Sequence, residues 1–180
     1  MKELSLHILD IAKNSVRAGA ALTQILLQTD EKGWLTLRIV DDGCGMDEEM
    51  LSRVTDPFCT TRTTRKVGMG LPLLKMAAEA TGGSLTLRSD VSPERHGTTL
   101  EASFDTAHID CMPLGDIVST VCLLIQGDPD TDFLFEHERY GKETVALDTR
   151  ELREVLGGVS LAEYEVQEWI RENLTEQYGN

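Results

Sequence analysis

The sequence predicts an α+β fold, and three observations carry that prediction. An amphipathic helix opens the chain, two pairs of alternating strands flank a second helix, and glycine or proline punctuates the joins. Ser5–Arg17 reads as the first helix, with Leu6, Leu9, Ala12 and Val16 as its apolar stripe and Gly19 as its stop. Thr23–Gln28 and Trp34–Val40 alternate as strands across the turn Asp30-Glu31-Lys32-Gly33. A short acidic-capped helix is expected near Asp47–Arg53. Residues 55–67 hold Pro57 and a dense Thr/Arg run without periodicity, which reads as a long loop. Gly70–Ala80 resumes as a helix ended by Gly82-Gly83, and Ser84–Ser89 and Thr98–Phe104 follow as strands.

The remaining residues also carry structural signals. Leu114, Ile117, Val118, Val121, Cys122 and Ile125 share one helical face. Phe133–Glu138 and Thr144–Leu147 read as a hairpin across Tyr140-Gly141-Lys142, and Thr149 starts a short helix ended by Gly157-Gly158. Ser160 and Glu163 have capping-box spacing for a last helix with Val166, Trp169, Ile170 and Leu174 on its apolar side. Composition and Pro113 mark a boundary near 105–113. Residues 1–106 are therefore read as one domain and residues 107–180 as a C-terminal extension.

Bulk properties exclude several functions. The 180 residues are 41% apolar and 27% charged, which is ordinary for a globular chain. No apolar run approaches the roughly 20 residues of a membrane helix. Acidic residues interrupt the apolar start, so a secretory leader is not expected, and Cys44, Cys59, Cys111 and Cys122 lack CxxC spacing. A cytoplasmic protein with reduced thiols is the expectation. A net charge of −14 argues against nucleic acid as the main partner. The charge is uneven: residues 1–106 hold 15 acidic and 12 basic residues, whereas residues 107–180 hold 16 and 5. The acidic extension is either a solvated surface or a face for a basic partner.

Three short patterns carry chemistry. Asp10, Asn14 and Arg17 lie one turn apart on the first helix, so a carboxylate, an amide and a guanidinium share one side. Such an amide oxygen can ligate Mg²⁺, the carboxylate can orient or deprotonate water, and the guanidinium can neutralise phosphate. Polar helix faces produce this spacing often, so the triplet alone decides nothing. Asp41-x-Gly43-x-Gly45 follows a strand directly; a strand-end carboxylate can accept from an exocyclic amine, while glycines let backbone approach a flat base. Gly68-x-Gly70-Leu71 opens a helix, exposing N–H groups to phosphate. It is neither a Walker motif nor a dinucleotide fingerprint after a strand.

The order of these boxes is more specific than any one of them. Asp10-x-x-x-Asn14, Asp41-x-Gly43-x-Gly45, Asp56-Pro57-Phe58, Gly68-x-Gly70-Leu71 and Gly97-Thr98-Thr99 in series resemble the GHKL superfamily. That group takes in type II topoisomerases, large heat-shock chaperones, sensor histidine kinases and MutL-type ATPases. The resemblance covers residues 1 to about 105. It implies a two-layer sandwich, the Bergerat ATP-binding fold, with a mixed sheet carrying helices on one face and ATP held between those helices and a lid. It implies ATP and Mg²⁺ as ligands, Asn14 as the metal ligand and Asp41 as the reader of the adenine amine. By the same resemblance Gly43, Gly45 and Met46 line the base pocket, Gly68, Gly70 and Leu71 face the phosphates, and Thr98 is a second adenine-side contact. Arg17 sits where kinases carry a basic residue. The stretch Asp56-Pro57-Phe58-Cys59-Thr60-Thr61-Arg62 is closest to sensor-kinase catalytic domains, while Asn14-Ser15-x-x-Ala18-Gly19-Ala20 is similar to the MutL group.

Two positions depart from the pattern. Asp10, the candidate catalytic carboxylate, stands where hydrolysing branches place Glu. Lys66 replaces the first glycine of the fuller kinase box, either joining Arg62 and Arg65 at the phosphates or facing solvent. Only 13 residues precede Asn14, so the helical hairpin of a self-phosphorylating kinase is not expected. The resemblance then implies a stand-alone kinase-like module acting on a separate regulatory or phosphoacceptor protein, as anti-sigma kinases do. An ATP-gated binding module and a slow ATPase are the alternatives.

Overall fold

The computed structural model describes residues 3–54 and 70–179. In chain order the elements are α1 (Leu4–Arg17), β1 (Leu22–Thr29), β2 (Trp34–Asp41), α2 (Glu48–Val54), α3 (Gly70–Ala80), β3 (Leu85–Asp90) and β4 (Gly97–Asp105). They continue as α4 (Ile117–Gly127), β5 (Asp132–Arg139), β6 (Val145–Asp148), α5 (Thr149–Leu156) and α6 (Tyr164–Gly179). The expected loop at 55–67, including Asp56-Pro57-Phe58, Arg62, Arg65 and Lys66, lies outside the described residues, as does Gly68.

Strands alternate because one face of the sheet is buried and the other is not. Ile25 and Leu27, Leu37 and Ile39, Leu100 and Phe104, and Phe133 and Phe135 are all nearly inaccessible, whereas the alternating Arg38 and Glu101 are exposed. The sheet has the order β3-β4-β2-β1-β5-β6. It is mixed: β1 runs parallel to β5, and every other neighbouring pair is antiparallel. Helices close the apolar face, giving the α+β two-layer arrangement expected above.

The sheet and its core run through residue 107 without a break. Leu22↔Asp132 to Thr29↔Arg139 pair along the whole of β1, and the α4 stripe is buried, with Val121 at 1% exposure. α4 packs on α1, and the join is hydrogen-bonded. Leu4 N–H donates to Pro113 O at 3.0 Å, Ser5 N–H to Leu114 O at 2.8 Å, and Thr120 Oγ1 to Ser5 O at 3.4 Å. Two of the N–H groups that a helix start leaves without intrahelical partners are satisfied there by the segment leading into α4.

Several local readings change. The inner face of α1 is Leu4, Ile8, Ile11, Ala12 and Ser15, while Leu6 is 42% exposed. The spacing 4, 3, 4 from Leu4 to Ser15 follows the helix period more closely than the stripe through Leu6. Leu114 precedes α4 and is half-buried. The Ser160–Glu163 capping box does not form: Ser160 Oγ takes the Ala162 N–H at 3.2 Å, a turn intervenes, and α6 starts at Tyr164. Trp169 is 49% exposed because α6 seats only the Val166, Ile170 and Leu174 edge.

The sheet edge at β6 is closed by a side chain. Gln177 of α6 accepts from Ala146 N at 2.8 Å and donates to Ala146 O at 3.1 Å, occupying backbone groups that would otherwise recruit another strand. Beside it, Arg139 caps the end of α6, donating to Gln177 O at 3.1 Å with its guanidinium 5.1 Å over the Tyr178 ring. An open cleft of about 330 Å³ lies at the far ends of β1 and β5, lined by residues including Asp30, Glu31 and Tyr140.

His137 on β5 is buried and shares a 2.9 Å hydrogen bond with the Tyr178 hydroxyl. Burial, with the Arg139 charge nearby, pushes its pKa from 6.5 down to about 4. The unfolded chain therefore takes up this proton at higher pH than the folded one. Stability from this group is complete above pH 6.5 and falls as pH drops from 6.5 towards about 4. Chemical denaturation across that window should show the loss in the native protein and a shallower slope in His137→Leu.

Candidate functional site

The helix-covered face of the sheet turns polar at one end. Thr23, Asp41, Thr98 and Ser89 are successive register partners on β1, β2, β4 and β3. Each lies at, or one residue from, the end of its strand, where apolar core gives way to loops. Thr23 Oγ1 is fully buried beside Asp41 and has no hydrogen-bond partner. A buried hydroxyl without a partner is uncommon and marks a place where water or a ligand atom belongs.

Asp41 is the centre of this row. Its Oδ2 accepts from Ser15 Oγ at 2.6 Å and its Oδ1 from Gly43 N–H at 3.0 Å. An ionised carboxylate has about four acceptor sites, so two donors fix its orientation and leave capacity for a ligand donor. The loop that follows is anchored along its length. Asp42 Oδ1 accepts from Ala21 and Leu22 N–H at 2.8 and 2.9 Å, and Cys44 N–H donates to Ala18 O at 2.9 Å. Met46 N–H donates to Ser89 Oγ at 2.8 Å, and His96 Nδ1 reaches Gly43 O at 2.8 Å.

Glycine is required twice in this loop. Gly43 is buried, with an added Cβ falling 2.9 Å from Ala18 Cβ. Gly45 has φ +72°, and a Cβ there would overlap the Asp90 carbonyl. The spacing Asp41-x-Gly43-x-Gly45 is thus the close approach of one loop to α1 on one side and β3 on the other.

The α1 residues lie beside this pocket. Ser15 faces Asp41, so its neighbour Asn14 is half-buried at the rim, where its Oδ1 accepts from Arg17 Nη1 at 3.0 Å. Among the described residues no group of three His, Cys, Asp or Glu side chains could hold a metal ion. One amide oxygen fits a cation that keeps waters and takes further ligands from phosphate, which is the habit of Mg²⁺. Asp10, one turn back, abuts the start of α3: a Cβ on Gly70 would overlap Asp10 Oδ2. The N-terminus of an eleven-residue helix therefore meets that carboxylate. Leu71 packs against the core. His7 lies under the same corner, 1% exposed with Nδ1 unpartnered, and burial lowers its pKa.

The structure thus brings Asp41, Gly43, Gly45, Met46 and Thr98 together at one end of the sheet, with Asn14 and Arg17 on the adjoining helix and Asp10 against Gly70. The sequence reading missed Ser15, Ser89 and His96 as parts of this site. Ser15 had a signal, as a polar residue on the inner 4, 3, 4 stripe of α1. Ser89 and His96 had none, because their contacts depend on strand register and a long-range approach.

Residues 2–108 match the family described as "Histidine kinase-, DNA gyrase B-, and HSP90-like ATPase". The chain belongs to this family. Among relatives of this chain, Sporulation kinase D of Bacillus subtilis (strain 168) is 35% identical over 94 residues, covering 51% of this chain and 17% of the kinase. Sensor histidine kinase CitA of Klebsiella pneumoniae is 30% identical over 88 residues, covering 47% of this chain and 16% of the kinase. The chain thus spans about a sixth of each kinase. Among solved structures, the N-terminal domain of a DNA repair protein has TM-score 0.56 at 16% identity, over 82% of this chain and 53% of that one. The Aquifex aeolicus MutL ATPase domain complexed with ADP has TM-score 0.52 at 11% identity, over 98% of this chain and 70% of that one. These likenesses are of fold, and the second extends through β5, β6 and their helices.

Gly45→Ala should cost about 2 kcal/mol or more in denaturant unfolding, from the left-handed φ and the collision with Asp90. Gly127→Ala, where nothing lies within 4 Å, is the control and should change little.

Proposed function

We propose that this ATPase-family chain binds Mg-ATP in the Asp41 pocket and acts as a kinase-like module on a separate protein. The observation that carries this reading is the oriented Asp41 carboxylate, held by Ser15 and Gly43 at the end of an otherwise apolar core. A carboxylate fixed as an acceptor suits the exocyclic amine of adenine, and Gly43, Gly45 and Met46 give the base a close backbone surface. Thr98 adds a second polar contact. Asn14 would hold Mg²⁺ and Arg17 would turn from Asn14 to the phosphates. Gly70, at the start of α3, would face the triphosphate, while Leu71 packs against the core; Gly68 and Lys66 lie just before it in the sequence, outside the described residues. Bound Mg²⁺ would supply charge neutralisation on the phosphate oxygens.

Asp10 is the proposed catalytic base. Its carboxylate rests against the first turn of α3, so it would stand where a nucleophile is delivered to the phosphate side. The acceptor belongs to another protein in this reading. His7 and His137 are buried, His96 is engaged with Gly43 O, and His108 lies 3.8 Å from Asp110. None of the chain's four histidines is presented as an acceptor on a helix surface. Relatives that are sensor and sporulation kinases support phosphoryl transfer in signal transduction as the output, and a cytoplasmic site is proposed with it. Among the described residues no helix is long and apolar enough to cross a membrane.

A second reading, an ATP-gated binding module, is favoured by the α1–α4 join. The helix bearing Asp10 and Asn14 is bonded at its start to Pro113 and Leu114, so a change at the nucleotide can reach the C-terminal unit.

Titration calorimetry with Mg-ATP tests binding. Asp41→Asn should weaken affinity roughly 10- to 100-fold, as loss of a charge-assisted hydrogen bond requires; equal affinity removes the adenine assignment. Incubation with γ-labelled ATP and candidate partners separates the outputs. Label on the partner, lost in Asp10→Asn while ATP still binds, supports the kinase; association without label supports the gate.

A further inference from the structure

Ser89 has a hydrogen-bond pattern with one consistent solution. Its hydroxyl lies 2.8 Å from Met46 N, 2.9 Å from Gly97 O and 2.9 Å from Thr98 Oγ1. A backbone N–H only donates and a carbonyl only accepts, so Ser89 accepts from Met46 and spends its single proton on Gly97. The Thr98 hydroxyl must then be the donor in the third contact. Its proton points at Ser89, and its free lone pairs are what remains for the pocket. Asp41, the register partner of Thr98 on the other side, is an acceptor as well.

Asp41 and Thr98, neighbours across the β2–β4 register, are therefore both acceptors, and Ser89 determines the half of that pair's polarity that Asp41 does not. We infer that Ser89 is a specificity-determining residue: by orienting the Thr98 hydroxyl it selects a purine with an amino group at C6 over one with a C6 carbonyl. The inference rests on the proposed nucleotide site and deepens it. A C6 amine brings hydrogens to both acceptors, whereas a C6 carbonyl would set its oxygen against two oxygens and leave buried acceptors facing each other. Without Ser89, Thr98 is free to rotate and donate to a carbonyl.

Inosine triphosphate is the probe, since it replaces the C6 amine of ATP with a carbonyl. Affinities for Mg-ATP and Mg-ITP are measured by calorimetry on the full chain. Native protein should prefer ATP. Ser89→Ala should narrow the ATP-to-ITP ratio by about 2- to 12-fold, the worth of one neutral hydrogen bond, and Ser89→Thr should restore it. Thr98→Val reads the same contact from the other side: on that background Ser89→Ala should leave the ratio unmoved. A general loosening of the loop would weaken both nucleotides together. An unchanged ratio in Ser89→Ala, whatever the absolute affinities, overturns the inference while leaving the site intact. Native protein that binds neither nucleotide overturns the site itself.

Discussion

The site depends on one contact, the 2.6 Å hydrogen bond from Ser15 on α1 to Asp41 at the end of β2. It joins the helix that carries Asp10 and Asn14 to the strand that carries Asp41, the carboxylate proposed to read the base. A bond between residues 26 apart in sequence sets the distance between the two halves of the pocket. It also fixes the carboxylate's orientation: the Ser15 hydroxyl holds Oδ2 while the Gly43 N–H holds Oδ1. Asn14 lies at the rim because Ser15 lies inside. The proposed recognition of base and grip on cation would thus both be set by one helix rotation.

That rotation is fixed at both ends of α1. At its start, Pro113 and Leu114 accept the first N–H groups, and α4 buries Val121 and Ile125 in the shared core. At its end, Ala18 O accepts from Cys44 N–H, and Ala18 packs on Gly43. The C-terminal residues therefore brace the site: Phe133 on β5 is the register partner of Thr23. β5 extends the sheet beside β1, and α4 closes over α1, so the acidic excess of residues 107–180 is carried on the outside of a unit whose inside is continuous with the first hundred residues.

Much of the fold was legible because its signals are local. Gly70–Ala80 has the predicted bounds as a helix, and Trp34–Val40 is extended by one residue to Asp41, because period and punctuation agree there. The Asp41, Gly43 and Gly45 pattern was legible because only glycine tolerates the close approaches found at those two positions. The parallel pairing of β1 with β5 was not, since it joins residues about 110 apart and leaves no trace in either strand's own pattern. Ser89 and Thr23 were illegible for a related reason. A small polar residue in a strand acquires meaning only when register places it beside Asp41. The misread α1 stripe is different in kind: the helix is buried more widely than one stripe because α4, far along the chain, covers part of its surface.

The most direct test of this account is an amide chemical-shift titration of the full chain with Mg-ATP. Saturable shifts should appear at Gly43, Gly45 and Met46 and at Ser15 on α1, with the open cleft between Asp30 and Tyr140 unmoved. If the Gly43–Met46 amides stay in place at millimolar nucleotide, or the shifts gather at that distant cleft, the Asp41 pocket is not where this chain meets its ligand.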